Sequence, residues 1–181
     1  MKILLTVHQY FPHFAAGTEV LTRSVARELI RLGHEVRIFS GHPAATPLPD
    51  QQRLDDYSYE GVHVHRFSHD YTPMAGQRSH IALDYDNRLA SHFFARILKE
   101  FSPDVVHFFH LSRLGTGLIE AAVQAHVPAF FTPTDFWSIC PTASVTCEMP
   151  VDWSLLAVLI LPMMSVTPRM LLTTSVMVAP A

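Results

Sequence analysis

Three short stretches of this chain hold residues whose types and spacing could do chemistry. The first is Ala16-Gly17-Thr18-Glu19, where a helical pattern begins. A helix N-terminus presents backbone N–H groups with no intrahelical partner, and these attract phosphate and other anions. Gly17 would let a ligand approach the backbone closely. The same residues also fit a plain helix start, in which Thr18 caps, Glu19 complements the helix dipole, and Glu19 pairs with Arg23 four residues on. Spacing alone favours the plain start.

The second stretch is His107 to His110, at the end of an apolar run. His110 falls where a binding site would lie; it reads as a binding residue or as an ordinary loop histidine. A zinc pair is a further reading for His107 with His110, and for His63 with His65, which share one side of another run. Protein zinc sites need three or four converging ligands. No third ligand stands at motif spacing beside either pair, so no metal is expected.

The third stretch is Asp135-Phe136-Trp137. A carboxylate beside two aromatic rings suits recognition of a hydroxylated ligand. Equally, the rings could simply plug the end of a sheet. Gly115-Thr116-Gly117 starts like a dinucleotide fingerprint but lacks the third glycine. Cys140 has no activating histidine at motif spacing, which argues against a nucleophile.

The elements that must position these residues alternate between strand and helix. Lys2 to Val7 is a short apolar run suited to a buried parallel strand. A helix from about Thr18 to Leu32 carries Leu21, Val25, Leu29 and Leu32 at helical spacing, with Ala26 and Ile30 beside them and Arg23, Arg27 and Arg31 on the other face. Gly33 suits a left-handed C-terminal residue. Val36 to Ser40 makes a second strand, so residues 1–41 form a βαβ unit. Tyr59 to Phe67 alternates and reads as a third strand near an edge; His69 to Ile81 reads as loop. Asn87 to Phe101 is a strong amphipathic helix closed by Pro103. Val105 to Phe109 is a buried strand, Gly115 to Gln124 a short helix, and Val127 to Thr132 a further strand. The expected fold is α/β: a Rossmann-like, three-layer α/β/α arrangement with a mostly parallel sheet. Ligands bind such sheets at the carboxyl edge, so Gly17, His110 and Asp135 are expected to share one cleft there.

The 181 residues fit one domain, or one domain plus a tail, and 49% hydrophobic content is ample for a core. A formal charge of −3 with 13 Lys+Arg gives no electrostatic case for nucleic acid. Cys140 and Cys147 fit a reducing compartment. The apolar run after Lys2 is too short for a signal peptide, so the expected location is cytoplasmic. Residues 153–181 contain a single charged side chain, Arg169. Pro162, Pro168 and Arg169 interrupt this segment too early for a membrane span of about 20 apolar residues. Its composition instead suggests peripheral adhesion at the inner face of the membrane. The domain is expected to be complete by residue 141, with 142–181 an atypical apolar tail that reads as truncated or out of frame.

Taken in order, these features resemble the N-terminal domain of family 4 glycosyltransferases, which have the GT-B fold. The matching residues are Met1-Lys2-Ile3-Leu4, His8-Gln9-Tyr10-Phe11-Pro12, Ala16-Gly17-Thr18-Glu19 and Arg31-Leu32-Gly33-His34-Glu35-Val36. They continue with Pro103-Asp104-Val105-Val106-His107, Thr132-Pro133-Thr134-Asp135-Phe136-Trp137 and Cys140-Pro141. The resemblance covers about 140 residues. It implies the acceptor-side half of a two-domain, retaining, metal-independent enzyme that moves a hexosyl group. The donor would be a nucleotide-sugar, acting as co-substrate with no separate cofactor; the acceptor would be a carbohydrate or lipid-linked molecule. Gly17, Thr18 and Glu19 would form the loop near the donor phosphates and acceptor, while His110, Asp135 and Phe136 would line the acceptor side.

Two departures stand out. Many members carry a histidine where this chain has Thr134, so no catalytic histidine is carried over and no catalytic residue is assigned. The donor domain's paired glutamates have no counterpart after residue 141, where the remaining acids are Glu148 and Asp152. The chain alone is therefore expected to be inactive. The alternative is a non-catalytic binding remnant of the same fold. A nucleotide-dependent oxidoreductase would need an acid at the end of strand two, where Phe39-Ser40-Gly41 stands.

Overall fold

The computed structural model describes residues 1–70, 85–135 and 137–138. Phe136, both cysteines, the boundary near residue 141 and the whole apolar tail lie outside the described residues, as does most of the expected loop over 69–81.

Among the described residues, six strands make one sheet in the order β3-β4-β2-β1-β5-β6. They are β1 (Lys2–Val7), β2 (Glu35–Pro43), β3 (Leu54–Tyr59), β4 (Val62–His69), β5 (Val105–Phe108) and β6 (Ala129–Phe131). Every neighbouring pair is parallel except β3–β4. Among the described residues, three α-helices cross between them: α1 (Gly17–Arg31), α2 (Arg88–Phe101) and α3 (Gly117–Gln124). The architecture is thus the expected α/β fold with a mostly parallel sheet.

Side chains alternate across the sheet, and each face has its own helices. Ile3, Leu5 and Val7 of β1, with Val36 and Ile38 of β2 and Val62 and Val64 of β4, pack with Ala26, Val25 and Leu29 of α1. Phe39, Phe67 and Phe108 point to the opposite face, where Phe93 and Phe94 of α2 meet them. The helix α3 packs beside α2. Asn87 starts α2 as predicted: its side-chain oxygen accepts from the Ala90 N–H at 3.0 Å, and its amide donates to the Arg113 carbonyl at 2.6 Å.

The structure corrects several details. The single expected third strand is a hairpin. A two-residue turn at Glu60-Gly61, both with positive φ, joins β3 to β4, so β3 is the edge and β4 is interior. On α1 the side facing the sheet is narrower than expected. Leu21, Ile30 and Leu32 are exposed, while Thr22 and Ala26 are fully buried. Thr18 does not cap: Ala16 is the N-cap, and Gly17 is already helical. Gly33 does take the left-handed conformation, at φ +84°.

Gly41 shows how tightly the first loop is seated. A Cβ there would stand 2.4 Å from the His8 carbonyl oxygen, so only glycine lets β2 run past that loop.

Candidate functional site

Strand order decides where a cleft can open. From β1 the chain moves outward to β2 and β4, then returns to β5 on the other side of β1. The crevice outside the carboxyl ends of β1 and β5 is the switch point of the sheet, the usual ligand position in such folds. The loop after β1 supplies His8 and the loop after β5 supplies His110. Their rings are 4.2 Å apart. The loop after β6 supplies Asp135, whose Oδ2 lies 2.7 Å from His110 Nε2.

His110 is held in one tautomer. The Ser112 N–H donates to its Nδ1 at 3.1 Å, so Nε2 carries the proton and donates to Asp135. The other oxygen of Asp135 accepts the backbone N–H of Trp137 at 2.8 Å. Trp137 in turn stacks on Tyr85 at 4.8 Å, and the Tyr85 hydroxyl donates to the Trp137 carbonyl. His110 is nearly buried, whereas the Asp135 side chain is 39% exposed and so remains open to a ligand.

Around this pair lies an open cleft lined by His8, Gln9, Gly17, Thr18, Glu19 and Thr132 to Asp135. The Thr18 hydroxyl donates to that of Thr134 at 2.9 Å, tying the start of α1 to the loop after β6. The first helical bond runs from the Val20 N–H to the Ala16 carbonyl. The N–H groups of Gly17, Thr18 and Glu19 therefore have no intrahelical acceptor.

Glu19 departs most from its sequence reading. It does not pair with Arg23, which instead makes a two-pronged contact with Glu60 of the hairpin turn. Glu19 is fully buried, and neither of its carboxyl oxygens has a hydrogen-bond partner among the described residues. The nearest cationic candidate is His8, with Nε2 at 3.5 Å. Burial and the neighbouring His110 push the His8 pKa down to about 3, so His8 is a neutral imidazole at pH 7 and the contact is no ion pair.

Gly17, Thr18, Glu19 and Asp135 thus line one cleft, and His110 stands behind it, bonded to Asp135 and with its ring close to that of His8. Phe136 lies outside the described residues. His107 turns away: its Nε2 meets the Thr132 hydroxyl at 2.8 Å and its ring stacks on Phe109. Sequence reasoning missed His8. The available signal was that it directly follows β1, much as His110 follows β5.

The sequence pattern of the glycosyl transferase 4-like domain matches residues 16–159, most of the chain. The chain belongs to that family. Two individual proteins illustrate what the chain is similar to. One is a Klebsiella pneumoniae protein described as an uncharacterized 42.6 kDa protein in the cps region. It is 24% identical over 155 residues, covering 80% of this chain and 39% of the relative. The other is a solved structure titled trehalose-6-phosphate from E. coli bound with UDP-2-fluoro glucose, at 11% identity and a TM-score of 0.46. That match covers 79% of this chain and 36% of the other. The chain spans under two-fifths of either relative's length. Among the described residues, no helix is long and apolar enough to cross a membrane.

The buried histidines give the family member an expected pH response. His8 titrates near 3 and His69 near 4, both driven down first by burial. In the unfolded chain each would take up a proton near pH 6.5. The unfolded state therefore binds more protons below that pH, and stability falls as pH drops from about 6.5 towards 4. Each imidazole contributes up to about 1.4 kcal/mol per pH unit. Urea melts at pH 7.5, 6 and 5 should show the midpoint falling, and His8→Gln should flatten the slope. A midpoint constant over this range would contradict the assignment.

Proposed function

We propose that these 181 residues form the acceptor-side domain of a retaining glycosyltransferase. The enzyme would move a hexosyl group from a nucleotide-sugar, its co-substrate, to a carbohydrate or lipid-linked acceptor. The observation that carries this reading is the meeting of the Glu19 and Asp135 carboxyls with two imidazoles beside the open N-terminus of α1. Carboxyl oxygens accept charge-assisted hydrogen bonds from sugar hydroxyls. The free N–H groups of the helix suit a phosphate at the mouth. The apolar, almost uncharged segment 153–181 supports a place at the inner face of the membrane, where a lipid-linked acceptor would be met.

Transfer also requires stabilising the departing nucleotide diphosphate as its charge develops. Among the described residues no lysine or arginine lines the cleft. One helix terminus is little for that task, so the 181 residues alone should not turn over. The test is to express them alone with a panel of nucleotide-sugars and acceptors, then fused to the donor domain of a relative. We expect no transfer by the chain alone and turnover after fusion. Turnover by the unfused chain overturns the acceptor-side reading. A second reading, a binding remnant of the same fold, is favoured by a cleft that no lysine or arginine lines among the described residues. Retained acceptor binding with no turnover in any fusion would select it.

Gly17 offers a substitution that separates folding from binding. A Cβ at this position meets nothing within 4 Å. Gly17→Val should therefore leave the melting temperature nearly unchanged. By standing where a ligand meets the helix end, it should lower kcat/KM of the fused enzyme at least about tenfold, about 1.4 kcal/mol. Unchanged kinetics would remove the loop from the mechanism.

A further inference from the structure

The β3–β4 hairpin gathers the third ligand that sequence spacing does not reveal beside His63 and His65. Asp56 of β3 stands directly opposite His65 of β4, and Ser58 opposite His63. Asp56, His63 and His65 thus share one face of the hairpin. One ligand atom from each lies within 4.8 Å of the others. Asp56 Oδ1 is 2.6 Å from His65 Nδ1 and 3.6 Å from His63 Nε2. We propose that these three side chains bind a divalent transition-metal ion, zinc being the representative case, at a site separate from the carboxyl-edge cleft.

Three observations support this. The first is the donor set: two imidazoles and a carboxylate suit borderline metals such as zinc, and three protein ligands leave one position for water. The second is spacing. Ligand atoms held tetrahedrally at about 2.0–2.1 Å from zinc stand about 3.3 Å apart. The His63–Asp56 separation already fits, and the His65–Asp56 hydrogen bond needs to open by less than about 1 Å. The third is unmet demand. The Nε2 atom of His63, which faces Asp56, is buried with no hydrogen-bond partner among the described residues. A desolvated nitrogen without a partner is costly, and a metal ion would satisfy it.

The hairpin fixes the arrangement before any metal arrives. The tight turn sets the register, and a one-residue slip would send all three side chains to the wrong face. Arg37 of β2 stands opposite His63. Its guanidinium lies 4.3 Å from the centre of the Phe101 ring and 3.6 Å from Glu35. Asp55 and Arg66 pair with each other and belong to the other face of the hairpin. His63 and His65 lie in the first half of β4, and the cleft lies beyond the far end of the sheet. The role of the ion is therefore structural: it clasps the edge strand to its neighbour.

The experiment uses the full 181-residue chain without a histidine tag, stripped with chelator. Zn²⁺ is titrated in competition with a chromophoric chelator, and Co²⁺ is added separately to read the coordination spectrum. One tight equivalent is expected, with a tetrahedral Co²⁺ absorption band and a raised melting temperature. Asp56→Asn and His63→Gln alter side chains that are partly exposed, so both variants should fold, as circular dichroism would show. Each should weaken Zn²⁺ binding at least 10- to 100-fold, the loss seen even for partners one step removed from a metal. A variant pair elsewhere, His13→Gln with His42→Gln, should bind like the parent. If the parent binds Zn²⁺ no more tightly than Asp56→Asn and His63→Gln, the proposal is overturned. Loss of the tight equivalent in the His13/His42 variant instead would overturn it equally.

Discussion

Phe94→Ala is expected to cost about 3–5 kcal/mol of folding stability, the range for truncating a buried aromatic ring. Phe94 is fully buried at the middle of α2. Its ring sits 5.3 Å from Phe39 of β2 and 6.0 Å from Phe108 of β5, spanning the central strands across β1. Those neighbours belong to strands fixed by ladder hydrogen bonds on both sides, so they cannot close the space. Most of the cavity would remain. Against a typical total of about 5–15 kcal/mol, such a loss leaves the domain near its unfolding threshold. Urea denaturation of the parent and the variant measures it. Ile30→Ala, on the exposed side of α1, is the comparison and should change stability little. A loss below about 1 kcal/mol for Phe94→Ala would mean that α2 is not seated as described.

How much of this was legible beforehand depends on how local each signal was. The unit β1-α1-β2 and the helix α2 are written in short-range periodicity, and their bounds agree with the structure to within a few residues. The edge strand β3 was not legible. Asp55, Asp56 and Ser58 leave only Tyr57 and Tyr59 to mark an inner face, and that polar pattern reads as loop. The helix α1 misled in another way. It lies close to the sheet, so small Thr22 and Ala26 occupy the contact, and large Leu21 and Leu32 stay outside. Hydropathy counts size as burial, and here close approach selects the small residues.

Site residues were legible by position and not by partnership. His110 and Asp135 each follow a strand, which marks the carboxyl edge. That their side chains meet depends on β6 lying beside β5, and no local pattern encodes strand order. The nearness of His8 likewise depends on β1 lying beside β5. For the same reason the pair His63 and His65 lacked a visible third ligand: Asp56 reaches them across a turn whose strand was not recognised.

Glu19→Gln should have opposite effects on folding and on function. Glu19 is fully buried in the first turn of α1, with neither carboxyl oxygen hydrogen-bonded among the described residues and a neutral His8 as its neighbour. A desolvated carboxyl group without donors is destabilising by about 1–3 kcal/mol or more, and only the helix terminus offsets part of that. Replacing it with the isosteric amide changes its hydrogen-bonding atoms without opening a cavity. Stability should stay constant or rise by about 1 kcal/mol. A ligand hydroxyl that completes the bonding of Glu19 would lose a charge-assisted hydrogen bond worth about 1.5–3 kcal/mol. That corresponds to about 10- to 150-fold in acceptor affinity or in kcat/KM of the fused enzyme. Glu28→Gln, on the exposed side of the same helix, should leave binding unchanged. The two readouts together separate the roles. If Glu19→Gln lowered stability and left acceptor binding intact, Glu19 would be a structural residue whose donors come from the protein, and the cleft would have to be read without it.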